Sequence, residues 1–161
     1  MTAKEVIDLL GLEPLEIEGG MFRCMYVNRH KIGEAPATQA IYYLLTENTF
    51  SHLHRLTSDE VWHFYMGDPV ELCSLNEDGS TTITVLGTDL EAGMRPQYVV
   101  IEGTWRGARL VKGGKWALLG TQMCPCYTEG CYSHGDREEL IKKYPEAKEY
   151  IESLTGPVSF Y

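Results

Sequence analysis

The chain has 161 residues, a formal net charge of −9 and a 43% share of hydrophobic residues. This length is typical of one domain with a sizeable core. The acidic balance argues against nucleic acid as a partner, because phosphates attract a basic surface. The apolar runs are shorter than the roughly 20 residues that a membrane span needs, and the N-terminus lacks the apolar core of a signal peptide. We therefore expect a cytoplasmic protein with no membrane partner.

The cysteines predict thiols rather than a disulfide framework. They number five, an odd count in a chain without a predicted signal peptide. Three of them could join a histidine in a Cys3His zinc site; these residues are Cys124, Cys126, Cys131 and His134. Their spacing is not a common zinc-ribbon pattern, so separate thiols are the favoured interpretation.

A short amphipathic helix is predicted over residues 3–10. Thr2 and Glu5 have the spacing of a capping box, in which each side chain accepts from the backbone of the other residue. Apolar residues at helical spacing follow, and Gly11 is placed to end the helix.

The next predicted element is a strand within residues 18–27, which follows a bend at Gly19 and Gly20. Apart from Arg23, both faces of this strand are apolar. A strand that is apolar on both faces is usually covered on both sides. A second subunit is one source of that cover, so we expect a homodimer.

From residue 38 onward, the pattern predicts a series of short strands. They are expected at residues 38–46, 50–54, 60–67, 70–75, 81–86, 97–101, 105–110 and 116–123. Residues 28–37 are predicted as a polar loop, whereas 76–79 and 112–115 are predicted to close hairpins. Helices are expected at 137–144 and 146–154. About nine short strands with close turns are typical of an all-β sandwich or barrel.

The stretch from residue 51 to 67 carries the strongest chemical signal. His52 and His54 are two residues apart, and Glu60 follows. On a regular strand this spacing places both imidazoles on one face, roughly 7 Å apart, and Glu60 can enter the same space from the next strand. Such a set can bind Zn, Fe, Mn or Ni, and it can equally perform general acid–base catalysis. These three residues are the predicted catalytic residues and metal ligands.

Further residues are predicted to contact a ligand, namely Arg23, Trp62, Phe64, Gln97 and Arg106. The two aromatic residues share the strand parity of Glu60, so they are either core residues or an apolar pocket wall. The two arginines are candidates to hold an anionic group, with an ion pair to Glu18 or another acidic residue as the alternative. The glutamine begins a strand near the predicted mouth of the pocket. His63 has the opposite parity and is expected to make a structural hydrogen bond.

Taken together, these motifs resemble a known family. The His-x-His…Glu…Gly pattern is similar to the first motif of the cupin superfamily, and the whole chain resembles a family of single-domain cupins. The matching segments include Glu-Gly-Gly-x-Phe-Arg and His-Arg-x-x-Ser-Asp-Glu-x-Trp-His-Phe-Tyr, and they lie at residues 18–23, 51–67, 86–90, 96–100 and 103–108.

The resemblance implies an all-β, double-stranded β-helix (jelly-roll, cupin) barrel. With the elements predicted above, the chain is one cupin domain with a short N-terminal helix and C-terminal helices. The barrel core spans about residues 19–124, and the C-terminal helical segment about 136–155. The resemblance also implies a pocket at the motifs and, in many members, a dimer.

Two departures from the cupin pattern limit what the resemblance implies. Metal-binding cupins have a further histidine in their second motif, where this chain has Arg106. A guanidinium that stays protonated cannot ligate a metal, so the ligand set is limited to His52, His54 and Glu60. The segment from Cys124 to Cys131 also differs from the family pattern and inherits no role from it.

Three functions remain open at this point. The first is an enzyme that acts on a small polar or anionic molecule, with or without a divalent metal. The second is a metal-free isomerase resembling the sugar-nucleotide epimerase cupins, which needs a tyrosine acid opposite a histidine base. The candidate tyrosines are Tyr42, Tyr43, Tyr65 and Tyr98. The third is a non-catalytic module that binds a small-molecule ligand.

Overall fold

The structure, a computed structural model, describes residues 1–160 and consists mainly of two antiparallel sheets, as predicted. A helix, α1, precedes the strands, and two helices, α2 and α3, follow them. The helices are α1 (Ala3–Leu10), α2 (Arg137–Lys143) and α3 (Lys148–Ser153), with a 3-10 turn at Pro145–Ala147. The strands are β1 (Glu13–Pro14), β2 (Met21–Ile32), β3 (Ala35–Thr46), β4 (Ser51–Leu56), β5 (Asp59–Gly67), β6 (Val70–Leu75), β7 (Thr81–Leu86), β8 (Gln97–Val100), β9 (Trp105–Leu110), β10 (Trp116–Cys124) and β11 (Tyr132–His134).

The strand order interleaves distant parts of the chain. The six-stranded sheet has the order β1-β2-β3-β10-β5-β8, and the five-stranded sheet has the order β11-β4-β9-β6-β7. The predicted hairpin at residues 112–115 is therefore wrong. Strand β9 pairs with β4 and β6, whereas β10 pairs with β3 and β5, so this turn carries the chain from one sheet to the other. Its glycines indicate a reversal but do not specify which strands pair.

Local sequence signals predicted the positions of most helices and strands. Helix α1 has the predicted capping box, and Gly11 ends it in the left-handed conformation with φ of 62°. Strands β6, β7 and β9 begin and end where they were predicted. Each of these elements is bounded by turn residues and carries a regular alternation or helical spacing, so its signal is local.

The predicted loop at residues 28–37 is wrong, because β2 and β3 continue through it as one long hairpin that turns at Gly33. Residues 29–34 of this extension are exposed and mostly polar, so no alternation of apolar residues marks it. Strand β11 was also missed, since its three residues are too few to show a period.

The main core lies between the sheets and includes Tyr43, Trp62, Leu72 and Leu119. The C-terminal helices cover the outer face of the five-stranded sheet with a second cluster that contains Leu140, Ile151 and Leu154. Helix α1 covers one end of the other sheet through Val6. Burying each of these large side chains contributes about 1.5–3 kcal/mol. No helix within residues 1–160 is both long enough and apolar enough to cross a membrane.

Candidate active site

A β-bulge in β4 separates the two predicted histidines. Ser51 pairs with Ala108 and His54 with Arg106, so three steps along β4 match two steps along β9. Ser51, rather than His52, therefore accompanies His54 on the inward face. Both contact one carboxylate, since Ser51 Oγ lies 2.6 Å from Glu18 Oε1 and His54 Nε2 lies 3.9 Å from Glu18 Oε2. The expected juxtaposition of His52 and His54 is corrected accordingly.

His52 has a structural set of contacts. Its Nδ1 donates to the carbonyl oxygen of Leu53 at 2.8 Å, and its Nε2 accepts from the backbone N–H of Gly156 at 3.3 Å. Its ring stacks on His134 with the centroids 3.7 Å apart. Burial lowers the pKa of His52 to about 4, so the ring is neutral at pH 7. This histidine attaches the C-terminal segment to β4.

His54 carries a free lone pair into the interior. Its Nδ1 lies 2.6 Å from the carbonyl oxygen of His52, so Nδ1 holds the proton and Nε2 is the basic nitrogen. The side chain is 1% exposed, and Nε2 has no hydrogen-bond partner among residues 1–160. Burial, with a further contribution from nearby Arg106, lowers the pKa of His54 to about 4. The ring also stacks on Tyr132 at 5.0 Å.

Glu18 is the site residue that sequence reasoning missed. It precedes the Gly19–Gly20 bend, where Gly19 has φ of 100° and an added Cβ would collide with the carbonyl oxygen of Phe50. This bend holds the Glu18 side chain, which is 17% exposed, over β4. Burial raises the pKa of Glu18 to about 7, against the opposing effects of the Ser51 hydrogen bond and the Arg106 charge. In the sequence, the Glu-Gly-Gly motif is the signal that could have identified Glu18 as a site residue.

A second carboxylate, Glu60, lies against Arg106. Glu60 Oε1 accepts from Trp62 Nε1 at 2.8 Å and lies 3.7 Å from Arg106 Nε. Arg106 is 0% exposed, and its Nε and Nη1 have no hydrogen-bond partner in the described part of the chain. Burial raises the pKa of Glu60, and the Arg106 charge opposes that shift. Glu60 is thus held in place from two sides.

A cavity of about 350 Å³ opens above these groups. Among residues 1–160, its charged lining residues are Glu18 and Glu60, and most of the remaining wall is apolar or aromatic. The aromatic residues are Phe22, Tyr43, Tyr127 and Tyr132. His54 and Arg106 lie outside this lining, next to the two carboxylates. A mostly apolar cavity with a few polar groups at one end is typical of a small-molecule site.

Other predicted ligand contacts lie outside the cavity lining. Arg23 is exposed, and its Nη1 donates to the carbonyl oxygen of Leu10 at 2.9 Å, at the end of α1. Trp62 and Phe64 belong to the core between the sheets. Gln97 is exposed and lies 3.3 Å from His63 Nδ1, so His63 makes the structural hydrogen bond that was predicted.

The predicted metal ligands are not brought together. Within residues 1–160, no group of three or more His, Cys, Asp or Glu side chains is placed to hold one ion. Both ring nitrogens of His52 have backbone partners, and Arg106 holds a permanent charge 3.7 Å from Glu60. These donors do not fit a resident divalent ion. All five cysteines are free thiols.

Two antiparallel sheets that enclose a cavity define the class as a cupin-type jelly-roll barrel. The chain belongs to the family described as "Cupin superfamily (DUF985)", whose model matches residues 4–133. The resemblance inferred from the motifs is thereby confirmed. No protein with a curated description matches the chain.

Solved structures agree with this assignment. Protein SO0799 from Shewanella oneidensis is 32% identical with a TM-score of 0.90, and the match covers 98% of this chain and 99% of that one. A hypothetical protein from Leishmania major is 25% identical with a TM-score of 0.86 over 100% of both chains. Oxalate decarboxylase from Bacillus subtilis, described with Mn(II) centers, is 15% identical with a TM-score of 0.56 and matches 92% of this chain and 39% of that one. This last likeness shows the fold alone.

Proposed function

We propose that the chain is a metal-independent proton-transfer enzyme of the isomerase type, which acts on one small molecule bound between its sheets. One observation carries this proposal. Glu18 closes the end of the cavity with a carboxyl group whose pKa is about 7, and the unpartnered His54 Nε2 lies 3.9 Å from its Oε2. A proton-transfer group works best when its pKa is near the operating pH.

The two carboxylates have different roles in this proposal. Ser51 holds Oε1 of Glu18, which leaves Oε2 to exchange a proton with the ligand. His54 presents a neutral lone pair beside it and can take the proton or orient the ligand. Glu60 is fixed by Trp62 and Arg106, so it supplies a stationary charge rather than a mobile proton.

The epimerase alternative requires a tyrosine as the acid, and Glu18 fits this role better. The hydroxyl of Tyr43 donates to the carbonyl oxygen of Gly19 at 2.7 Å. The hydroxyl of Tyr132 lies 2.9 Å from His134 Nδ1. These two cavity tyrosines therefore have hydroxyl partners, whereas one oxygen of Glu18 remains available.

Deuterium incorporation tests the proposal even though the substrate is unidentified. Chelator-treated protein is incubated in D2O with the small-molecule fraction of a cell extract, and the products are returned to H2O so that only carbon-bound deuterium is detected by mass spectrometry. We expect at least one metabolite to gain deuterium, and Glu18→Gln to slow this labelling by about 100-fold or more.

The matched control is Glu16→Gln, which alters an exposed carboxylate two residues away and should label at the wild-type rate. If the wild-type protein labels nothing while it retains a bound metabolite, the chain is a binding module. Labelling by Glu18→Gln at the wild-type rate would exclude Glu18 as the proton-transfer group.

We also propose a homodimer that forms through the outer face of the six-stranded sheet. The strand registers align a row of residues across five strands, namely Tyr26, Ala40, Gln122, Val61 and Val99. The two end residues, Tyr26 and Val99, are exposed, and so is Ile101, two residues after Val99 along the chain. Exposed apolar side chains at the ends of such a row are typical of a protein–protein contact.

Light scattering should therefore give a mass of twice the 18.2 kDa chain. Val99→Lys should shift the protein towards a monomer, because it places a charge in the row. Leu9→Lys is the control, since Leu9 is an exposed apolar residue on α1. A wild-type mass of one chain would exclude the dimer.

A further inference from the structure

We infer that the cavity takes an organic cation, a small molecule in which a protonated amine is attached to an apolar or aromatic group. The inference rests on the site proposed above and names its substrate class. It departs from the anionic molecule that the sequence suggested.

The charges around the cavity favour a cation. Two carboxylates, Glu18 and Glu60, line it, and no lysine or arginine of the described residues does. Arg106 lies 3.7 Å from Glu60 and balances one of them, while His54 is neutral at pH 7. The ionised site thus has one carboxylate more than it has guanidinium groups. An anion would meet this excess charge without a direct cationic partner in the wall.

The unpartnered histidine nitrogen independently indicates a ligand with N–H donors. His54 Nε2 is buried, accepts no hydrogen bond from residues 1–160, and lies 3.9 Å from Glu18 Oε2. An ammonium group beside Glu18 would bring N–H donors towards both atoms. A carboxylate ligand offers only hydrogen-bond acceptors, so it would leave the lone pair of His54 Nε2 without a donor.

The walls suit the rest of such a molecule. Phe22, Tyr43, Tyr127 and Tyr132 contribute aromatic surface around the carboxylate end. A cation beside an aromatic face is attracted by the ring quadrupole, more strongly when it is desolvated. A cavity of about 350 Å³ holds one compact ring and a short side chain.

Binding should be linked to the ionisation of Glu18. The ammonium group binds the carboxylate form, so below the pKa of Glu18, about 7, binding must release a proton. The dissociation constant should therefore rise about tenfold for each pH unit below 7 and stay constant above pH 8. Benzylamine remains a cation throughout this range, so the change reports the protein alone.

Isothermal titration calorimetry with three matched probes tests the inference: benzylamine, benzyl alcohol and benzoate. At pH 8 we expect benzylamine to bind at least tenfold more tightly than benzyl alcohol, with benzoate the weakest. Glu18→Gln should remove both this preference and the pH dependence. Glu16→Gln should retain both, since its carboxylate is exposed.

The inference is overturned if benzoate binds as tightly as benzylamine, if benzylamine fails to bind at millimolar concentration, or if Glu18→Gln keeps the preference. These outcomes are separate from those of the deuterium experiment. A benzylamine preference without deuterium labelling supports the substrate class and rejects proton transfer, and the reverse result rejects the substrate class alone.

Discussion

Replacing Arg106 with methionine is expected to lower the free energy of unfolding by about 3–5 kcal/mol, the range for breaking a buried ion pair from one side. Arg106 is 0% exposed and lies 3.7 Å from Glu60 Oε1. Methionine fills much of the same space but leaves Glu60 with no compensating charge, and it also removes the charge that favours ionised Glu18. Guanidinium chloride unfolding at pH 7 measures the loss.

A double variant separates the charge effect from a packing effect. Glu60→Gln removes the carboxylate charge, so the Arg106→Met/Glu60→Gln protein should recover more than half of the stability lost in the single variant. If the double variant is no more stable than Arg106→Met, packing rather than charge dominates.

Arg109→Met provides the comparison on the same strand. Arg109 is partly exposed, and its Nε lies 2.8 Å from Glu71 Oε2. Exposed pairs contribute about 0–1 kcal/mol, so this variant should lose far less than Arg106→Met. Equal losses would contradict the assignment of Arg106 as the buried charge of the site.

The fold was more predictable than the site because its signals are repeated along the chain. Alternating residues within β6 and β7, with a turn at residues 76–79 between them, locate both strands without any tertiary information. The pairing of β9 with β4 is different in kind. It joins residues more than fifty positions apart, and only the family resemblance carried that information.

Strand parity failed to predict the site because of one feature, the β-bulge in β4. One extra residue in β4 changes which side chains share the inward face, so Ser51 takes the place that a regular strand would give to His52. No sequence feature at Ser51 or His52 indicates the bulge. His54 and Glu60 both lie near the buried Arg106, whereas the expected pairing of His54 with His52 is replaced by its contact with Glu18.

Glu18 was missed for a different reason. It lies on a bend rather than on a strand, so parity assigns it no face, and its sequence suggested only an ion-pair partner for an arginine. The close approach of Gly19 to the backbone of Phe50 places it over β4. For Arg106 the sequence left two roles open, a group that holds an anion and an ion pair with an acidic residue, and its burial beside Glu60 agrees with the second.

The replacement of Glu18 by glutamine should make the protein more stable than wild type at pH 8, by about 3 kcal/mol. The folded-state pKa of Glu18 is about 7, and that of an ordinary glutamate is 4.5. The folded state therefore binds a proton more tightly than the unfolded state does. This contribution is fully present below pH 4.5 and is lost as the pH rises through 7. An amide has no proton to lose, and it can still accept from Ser51.

The measurement is the difference in unfolding free energy between the two proteins from pH 4 to pH 8. Titration of His52 and His54 also shapes each separate curve, because their lowered pKa values, about 4, remove stability as the pH falls below 6.5. Those contributions are common to both proteins to a first approximation, so the difference isolates Glu18. It should rise between pH 4.5 and 7 and then level, whereas Glu16→Gln should give a flat difference.

The sign of this difference decides between two views of the residue. A carboxylate retained for stability would make its amide variant less stable at every pH. A carboxylate that lowers stability when it is ionised needs another explanation. Its position in the cavity wall, beside an unpartnered histidine nitrogen, indicates that it acts on a ligand. If the difference at pH 8 is zero or negative, Glu18 ionises at no cost in stability. That result would remove the basis for assigning the proton transfer to Glu18.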